Sequence, residues 1–176
     1  MKTIIGIDPG SKGFVTILNA ADDGKAMMEY LSISDTEPSK IADRLRAERD
    51  ASSGNIVAVM EEIHAVFGSS AKATFAFGEI FGLLKGMLVS AGIPYNLVPP
   101  KVWQAEIWNA TDKTFEYKYD KNNNVKKVVN TKATSERAAR RLFPREDFRR
   151  TPGCKKNDDN KIDSLLIAEY GRRKNL

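Results

Sequence analysis

The sequence contains one cysteine, Cys154, and one histidine, His64, among 176 residues. A single cysteine excludes an intrachain disulfide, and the two residues are too few for a zinc site built from cysteine and histidine. The sequence shows no signal peptide, no apolar run long enough to cross a bilayer and no serine-nucleophile motif. These absences predict a protein of the reducing cytoplasm with no membrane partner.

Charge is unevenly divided along the chain. The first 100 residues carry 9 Lys and Arg against 12 Asp and Glu, whereas residues 101–176 carry 19 against 11, and the net charge is +5. A basic C-terminal half favours a polyanionic partner, although many proteins without such a partner have a similar excess. The length suits one domain spanning 1–176 and is too short for two of ordinary size.

An apolar segment, Ile4–Ile7, runs directly into Asp8, which is followed by a Pro-Gly turn and a second apolar run at 14–18. This pattern predicts a hairpin whose first strand is buried and carries a carboxylate at its end. A buried charge is costly, and a metal ion is a common compensation. The alternative is that Asp8 only opens the turn, a frequent role of aspartate.

The remaining pattern indicates an α/β fold with a five-stranded mixed sheet flanked by helices. The predicted elements after the hairpin are a strand in 26–34, a helix over 38–50, a strand at 56–63, a helix over 71–91, a strand at 93–98, one or two helical turns at 101–108, and helices over 134–142 and 158–172. In the short helical stretch, Trp103 is expected to pack inward.

Three further acidic residues are expected near Asp8. Glu61 ends the fourth strand, and Asp159 and Asp163 lie four residues apart on one face of the last helix. Adjacent parallel strands end at the same edge of a sheet, so a helix packed there brings these acids together. Divalent cations relieve the repulsion among such carboxylates, and oxygen ligands suit Mg²⁺ or Mn²⁺. Two such ions about 4 Å apart can activate water for phosphodiester cleavage.

Gly78, Gly82 and Gly86 are spaced four apart and share one face of the helix over 71–91. Each glycine in a helix interior costs roughly 1 kcal/mol relative to alanine, so a close neighbour is expected. That neighbour is either the protein's own sheet or a helix of a partner subunit. Glu79 and Lys85 argue against a membrane helix despite the small-residue spacing.

Residues 111–130 have the pattern of an inserted hairpin. Phe115, Tyr117 and Tyr119 alternate with charged residues before an Asn-rich turn. Aromatic side chains interleaved with lysines fit nucleic-acid binding, since bases stack on the rings and lysines neutralise phosphates. The alternative is a solvated hairpin whose aromatics cover the body of the protein.

An ordered set of motifs resembles the RuvC family of Holliday junction resolvases, particularly its phage-type members. The motifs are GIDPGSKG, VAVMEEIH, FAFGEIFGLLKG, VPPKVW, RAARRLFP and DDNKIDSLLIAEY, and together they cover nearly the whole chain. The resemblance implies an RNase H-like fold, a homodimer and Mg²⁺-dependent paired nicking of four-way DNA junctions. It assigns metal binding, with two ions per subunit, to Asp8, Glu61, Asp163 and an acid shortly before Asp163.

The fourth acid departs from the family pattern. Bacterial members have a ligand three residues before the final aspartate, and this sequence has Asn160 there. Asp159 is the first choice because it lies one helical turn before Asp163, and Asp158 is the alternative. At the strand end Glu61 is preferred to Glu62, whose side chain points to the opposite face.

Cations near these acids are candidates for DNA contact. His64 follows the strand acid and either contacts the DNA near the scissile phosphate or is structural, while Lys155 and Lys156 either hold a phosphate or form a solvated pair. The predicted DNA-binding set is His64, Lys118, Lys126, Lys127, Arg137, Arg140, Arg141, Arg149, Arg150, Lys155 and Lys156.

Three other functions share features with junction resolution. A nuclease with broad preference for forks and flaps uses the same acids, and a structure-specific DNA-binding module cuts little or not at all. A sugar-kinase or actin-like ATPase also begins with an acidic strand–turn–strand. That class needs a second phosphate loop and usually a much longer chain, and neither is found.

Overall fold

A computed structural model describes residues 2–20, 26–63 and 70–176 of the chain. The elements in chain order are β1 (Lys2–Asp8), β2 (Phe14–Ala20), β3 (Ala26–Ser32), α1 (Pro38–Ala51), β4 (Ile56–Glu61), α2 (Ala71–Ser90), β5 (Tyr95–Val98), α3 (Pro100–Ile107), β6 (Phe115–Tyr119), β7 (Val125–Val129), α4 (Thr131–Leu142) and α5 (Asp159–Arg173).

Five strands form one mixed sheet in the order β3-β2-β1-β4-β5. β2 runs antiparallel to β1 and β3, whereas β4 runs parallel to β1 and β5. This arrangement confirms the predicted α/β class and the five-stranded mixed sheet. Ile7 pairs with Met60 across the central strands, so Asp8 and Glu61 lie at the same edge of the sheet.

Side chains on the central strands alternate between two apolar layers, as strand geometry requires. Ile4 and Val59 pack with α3, α4 and α5 on one face, whereas Ile5 and Met60 pack with α1 and α2 on the other. Burial on both faces explains why β1 and β4 are almost continuously apolar in sequence.

Helix α5 packs directly on β1 because Gly6 has no side chain. A Cβ atom at Gly6 would overlap the carbonyl oxygen of Ser164 and the backbone nitrogen of Ala168. The hydroxyls of Thr16 and Ser164 are also 2.6 Å apart in the same buried layer. This close approach carries the first turns of α5 to the edge of the sheet where β1 ends.

The glycine face of α2, formed by Gly78, Gly82 and Gly86, does not pack on the protein's own sheet. Apart from the backbone of α2 itself, no atom within the described ranges lies within 4 Å of a Cβ added at any of the three. The interpretation that the sheet is their neighbour is therefore wrong. α2 buries the opposite face, through Leu84 and the pair Met87 and Leu88.

The composition of α2 also corrects the expectation that the sequence contains no apolar run long enough to cross a bilayer. Ala71–Ser90 is long and apolar enough to cross a membrane by length and composition, and only 17% of its apolar stretch is buried. Phe75 is 69% exposed and Val89 67% exposed. An apolar helix face therefore stands open on this side of the protein.

Strands β6 and β7 form a separate two-stranded antiparallel sheet, where the alternating sequence predicted a hairpin. Tyr117 is 72% exposed and Tyr119 is 73% exposed. The interpretation that these aromatics cover the body of the protein is therefore wrong. Phe115, Tyr117 and Tyr119 share one open face of the hairpin.

Candidate active site

Asp8 lies at the end of the central strand, where its side chain is half-buried. This burial, followed by the nearby charge of Glu61, raises the pKa of Asp8 to about 7, against an opposing hydrogen bond from the backbone of Gly10. The next turn is tight, because a Cβ at Gly13 would overlap the carbonyl oxygen of Asp8. The sequence places a carboxylate where it is unstable without a cation.

Glu61 ends the neighbouring strand and is oriented by a tryptophan. The indole nitrogen of Trp103 donates a hydrogen bond of 2.8 Å to Oε2 of Glu61. Burial raises the pKa of Glu61, and the indole hydrogen bond acts in the opposite direction. Trp103 itself is fully buried, as predicted, so the glutamate is fixed by a rigid partner.

Asp163 lies in the second turn of α5, facing the same edge. Burial raises the pKa of Asp163 to about 8, a hydrogen bond with Ser135 opposes the shift, and the charges of Asp8, Glu61 and Asp159 add to it. Its Oδ1 atom is buried with no hydrogen-bond partner among the described residues. A buried carboxylate oxygen without a donor can serve as a ligand for a cation.

Asp158 and Asp159 have different environments. Asp158 caps α5, because its Oδ1 accepts from the backbone nitrogens of Asn160 at 3.0 Å and Lys161 at 3.2 Å. Its Oδ2 accepts from Nε of Arg150 at 2.7 Å. Both oxygens of Asp158 are thus engaged in holding the fold. Asp159, one turn before Asp163, takes no part in the helix cap or in the pair with Arg150.

Lys132 is a site residue that sequence reasoning missed. Its Nζ lies 2.8 Å from Oδ2 of Asp159. This hydrogen bond, together with the charges of Asp159, Asp163 and Asp158, raises the pKa of Lys132, and burial opposes the shift. The predicted helix began at 134, whereas α4 begins at Thr131 with Asn130 as its N-cap. Asn130 was the available signal, because an N-cap there puts Lys132 in the first helical turn.

The donor chemistry fits a hard divalent cation, although the ligands are not drawn together. Oxygen ligands with raised pKa values are supplied by Asp8, Glu61 and Asp163. Oδ1 of Asp163 is also buried without a hydrogen-bond partner among the described residues. Within residues 2–20, 26–63 and 70–176, no three acidic, histidine or cysteine side chains are grouped closely enough to hold a metal. The carboxylates are close enough to repel one another but are not grouped around a common point.

Two of the predicted DNA-binding arginines are engaged inside the protein. Arg141 pairs with the buried Asp112 at 2.6 Å and donates to the carbonyl oxygen of Ile107 at 2.9 Å. Arg150 pairs with Asp158 at 2.7 Å and has a side chain only 21% exposed. Both guanidinium groups connect separate elements of the fold.

The other predicted cations lie nearer the surface. Arg140 pairs with Glu136 at 3.3 Å, Arg149 pairs with Asp147 at 2.7 Å, and their side chains are 54% and 39% exposed. Lys155 and Lys156 are exposed in the loop before α5, and Arg137 is exposed on α4. His64 lies outside the described residues.

The hairpin cations lie on both of its faces. Lys118 pairs with Glu116 at 2.8 Å and Lys126 with Asp120 at 3.1 Å. Lys127 lies on the aromatic face, with its Nζ 4.3 Å from the ring centre of Phe115. The hairpin therefore offers exposed rings and exposed charge together.

No protein-family model and no curated protein matches the sequence. Solved structures of similar fold include RuvC of Thermus thermophilus in complex with a Holliday junction substrate, at TM-score 0.54 and 17% identity, covering 98% of this chain and 96% of that one. A second structure of Thermus thermophilus RuvC is similar at TM-score 0.52 and 14% identity, covering 98% of this chain and 96% of that one.

The yeast mitochondrial Holliday junction resolvase Ydc2 is similar at TM-score 0.54 and 16% identity, covering 98% of this chain and 78% of that one. At such identities the likeness establishes the fold. The chain thus has the RNase H-like fold of RuvC-type proteins, as the sequence motifs implied.

Proposed function

We propose that the protein is a divalent-metal-dependent endonuclease that resolves four-way DNA junctions by paired nicks. The observation that carries the proposal is the placement of Asp8, Glu61 and Asp163, three neighbouring carboxyl groups with raised pKa values, at one edge of this fold. Carboxyl groups whose ionised form is disfavoured in this way are typical of sites where a ligand balances the charge. The fold, shared with a protein solved on a Holliday junction, supports DNA as the substrate.

In this proposal Asp8, Glu61, Asp159 and Asp163 hold Mg²⁺, with Mn²⁺ as a substitute and two ions per subunit. The bound metal would supply an activated water and stabilise the leaving oxygen. Trp103 orients Glu61, and Ser135 orients Asp163. Lys132 would exchange its contact with Asp159 for a DNA phosphate once a cation takes that carboxylate. Asp158 remains the helix cap.

DNA would be drawn towards the acids by the exposed cations around them. Arg137, Arg140, Arg149, Lys155 and Lys156 form the near part of this surface. Affinity for DNA rests on such phosphate contacts, whereas cleavage rests on the acids. Arg141 and Arg150 contribute to this surface only by supporting its elements.

The hairpin would extend the DNA-binding surface along one arm of the junction. Lys118, Lys126 and Lys127 would contact phosphates, and the exposed rings of Tyr117 and Tyr119 offer stacking surfaces for bases that are unpaired at a branch point.

Two active sites are needed for paired nicks, and a homodimer supplies them. We assign the dimer contact to the open glycine face of α2, because small residues allow a second helix to approach closely. The single cysteine, half-buried in the loop before α5, agrees with a reducing cytoplasm, bacterial or phage-infected, as the setting.

The deciding experiment incubates the protein with a four-way junction, a fork, a flap and a linear duplex, each with Mg²⁺ and with EDTA. Symmetrical, Mg²⁺-dependent nicks confined to the junction are expected. Equal cutting of forks and flaps would identify a broader branched-DNA nuclease, and binding without cutting would identify a DNA-binding module.

Substitutions then test the acids. Asp8→Asn, Glu61→Gln and Asp163→Asn should each abolish cleavage and leave junction binding largely intact. Asp159→Asn should do the same. Asp158→Asn keeps the helix cap, because asparagine is also an effective cap, but loses the ion pair with Arg150, so it should lower cleavage without abolishing it. Full activity in any of the first four would remove that residue from the site.

A further inference from the structure

Arg150 connects three segments that are far apart in sequence. Its Nη1 donates to Oγ of Ser32 at 2.9 Å and to Oδ2 of Asp35 at 2.8 Å, both after or at the end of β3. Its Nη2 donates to the carbonyl oxygen of Lys12 at 2.6 Å, in the turn that follows Asp8. Its Nε donates to Asp158, the cap of α5.

The guanidinium group is also covered on one side. It stacks over the ring of Phe14, with Cζ 4.7 Å from the ring centre, and the Arg150 side chain is 21% exposed. All three of its nitrogens are occupied by protein acceptors. A planar group fixed in this way is not available to a phosphate, and a lysine could not reproduce its geometry.

We propose that Arg150 is a positioning residue that sets the distance between the two halves of the acidic site. Asp8 precedes the turn that Arg150 holds, and Asp159 and Asp163 follow the cap that it holds. One side chain therefore fixes both the end of β1 and the start of α5. Arg150 also neutralises Asp158, whose charge would otherwise face Asp8. This inference rests on the proposed metal-dependent function.

The test compares Arg150→Gln with Arg149→Gln, its neighbour. Arg149 pairs with Asp147 and donates to the carbonyl oxygen of Pro152, both in the same loop.

Mn²⁺ affinity is measured by electron paramagnetic resonance titration, and junction affinity is measured in EDTA over a series of salt concentrations. Arg150→Gln should weaken Mn²⁺ binding about tenfold or more, as expected when a residue that orients metal ligands is lost. Its junction affinity and salt slope should match the wild type.

Arg149→Gln should show the reverse pattern, with Mn²⁺ affinity unchanged and junction binding weakened. Arg150→Lys, which keeps the charge but loses the planar fork, should behave like Arg150→Gln. If Arg150→Gln is poorly folded, Asp35→Asn provides a second variant, because it removes one anchor of Arg150 outside the acidic site. It should weaken Mn²⁺ binding by a smaller factor.

The proposal is overturned if Arg150→Gln binds Mn²⁺ as the wild type does, or if its salt slope falls by about one, the signature of a lost phosphate contact. Failure of the proposed function is distinguishable, because the wild type itself would then show no Mn²⁺ binding and no cleavage. In that event, amide hydrogen exchange tests whether Arg150 joins the turn after Asp8 to the start of α5. If it does, exchange should be faster in Arg150→Gln than in the wild type at both residues 10–13 and residues 158–161. Unchanged exchange at either segment would refute the connection.

Discussion

The indole nitrogen of Trp103 donates a 2.8 Å hydrogen bond to Oε2 of Glu61, joining the first turns of α3 to the end of β4. The two residues are 42 positions apart. The bond favours the charged form of a glutamate that burial pushes towards the neutral form. A hydrogen bond to a charged group contributes about 1.5–3 kcal/mol, so this contact is large enough to matter for the site.

Trp103→Phe should therefore lower cleavage about tenfold near neutral pH, since each 1.36 kcal/mol is roughly a tenfold change in rate. The rate should recover as the pH rises, because the pKa of Glu61 is higher without the indole donor. Trp108→Phe is the matched control. Its indole packs edge-on to Trp103 at 6.2 Å, and its nitrogen is buried with no partner among the described residues. Equal losses in both variants would contradict a role for the hydrogen bond.

The raised pKa values of two acids predict how stability depends on pH. The pKa of Asp8 is about 7 and that of Asp163 about 8, against an ordinary 3.8. The folded state therefore holds protons that the unfolded chain has already released. The stabilising contribution of these protons is complete below about pH 4 and is lost as the pH rises through 7 to 8.

The Tm of the metal-free protein should therefore fall between pH 5 and pH 8.5, by about 2–4 °C for each kcal/mol lost. Asp163→Asn should flatten this fall and raise the Tm at pH 8.5, and added Mg²⁺ should stabilise the wild type more at pH 8.5 than at pH 5. Differential scanning fluorimetry measures all three. Asp43→Asn, at a side chain 74% exposed, is the control and should follow the wild type. Parallel curves for Asp163→Asn and the wild type would refute the assignment.

Arg140 and Arg141 are neighbours in sequence with different expected roles. Arg141→Gln leaves Asp112, whose side chain is 5% exposed, without its cation. The free energy of unfolding should fall by about 3 kcal/mol, as measured by urea denaturation. Arg140→Gln should cost little stability, because its partner Glu136 is 38% exposed, and should weaken junction binding instead. The opposite distribution of effects would show that Arg141 faces the DNA.

The apolar pattern of single segments was sufficient to predict the sheet, because strands buried on both faces are recognisable without knowledge of their neighbours. The positions of Asp8, Glu61 and Asp163 at strand and helix ends followed from the same pattern. Partners remote in sequence were not predictable. Nothing near Arg150 indicates that its acceptors at Ser32, Asp35 and Lys12 lie 115–138 residues earlier.

The glycine face of α2 shows a related limit. Spacing identifies the face but not what covers it, since a sheet of the same chain and a second copy need the same small residues. The cap of α5 shows another limit. The sequence does not distinguish the roles of Asp158 and Asp159, whereas the structure shows that Arg150 pairs with Asp158.

Gly82→Leu should convert a dimer to a folded monomer in analytical ultracentrifugation. A Cβ atom at position 82 meets nothing within 4 Å among the described residues beyond the backbone of its own helix, so the fold should remain intact. Gly153→Leu, at an equally open glycine in the loop before α5, is the control and should stay dimeric. A stable, unchanged dimer in Gly82→Leu would refute the assigned contact. Binding of the wild type to phospholipid vesicles, lost in Gly82→Leu, would instead identify α2 as a membrane-contacting helix.

The two faces of the hairpin should contribute to DNA binding in different ways. Tyr117 and Tyr119 are on one face, and Lys118 and Lys126 are paired directly across the strands on the other. Removing two phosphate contacts with Lys118→Ala and Lys126→Ala should reduce the salt slope of junction binding by about 1.8, since each contact contributes about 0.9. Tyr117→Ala with Tyr119→Ala should weaken binding by about 1–3 kcal/mol for each stacked base and leave the salt slope unchanged.

Fluorescence anisotropy over a range of salt concentrations separates the two effects, and a fully paired linear duplex is the control substrate. The tyrosine variant should bind that duplex as the wild type does, because no base there is free to stack, whereas the lysine variant should bind both substrates less well. Cleavage at saturating protein should persist in both variants, because neither alters Asp8, Glu61 or Asp163. If the tyrosine variant loses affinity equally for duplex and junction, the rings contact the backbone and not unpaired bases. If neither variant changes affinity, the hairpin lies away from the DNA and the cations before α5 carry the binding alone.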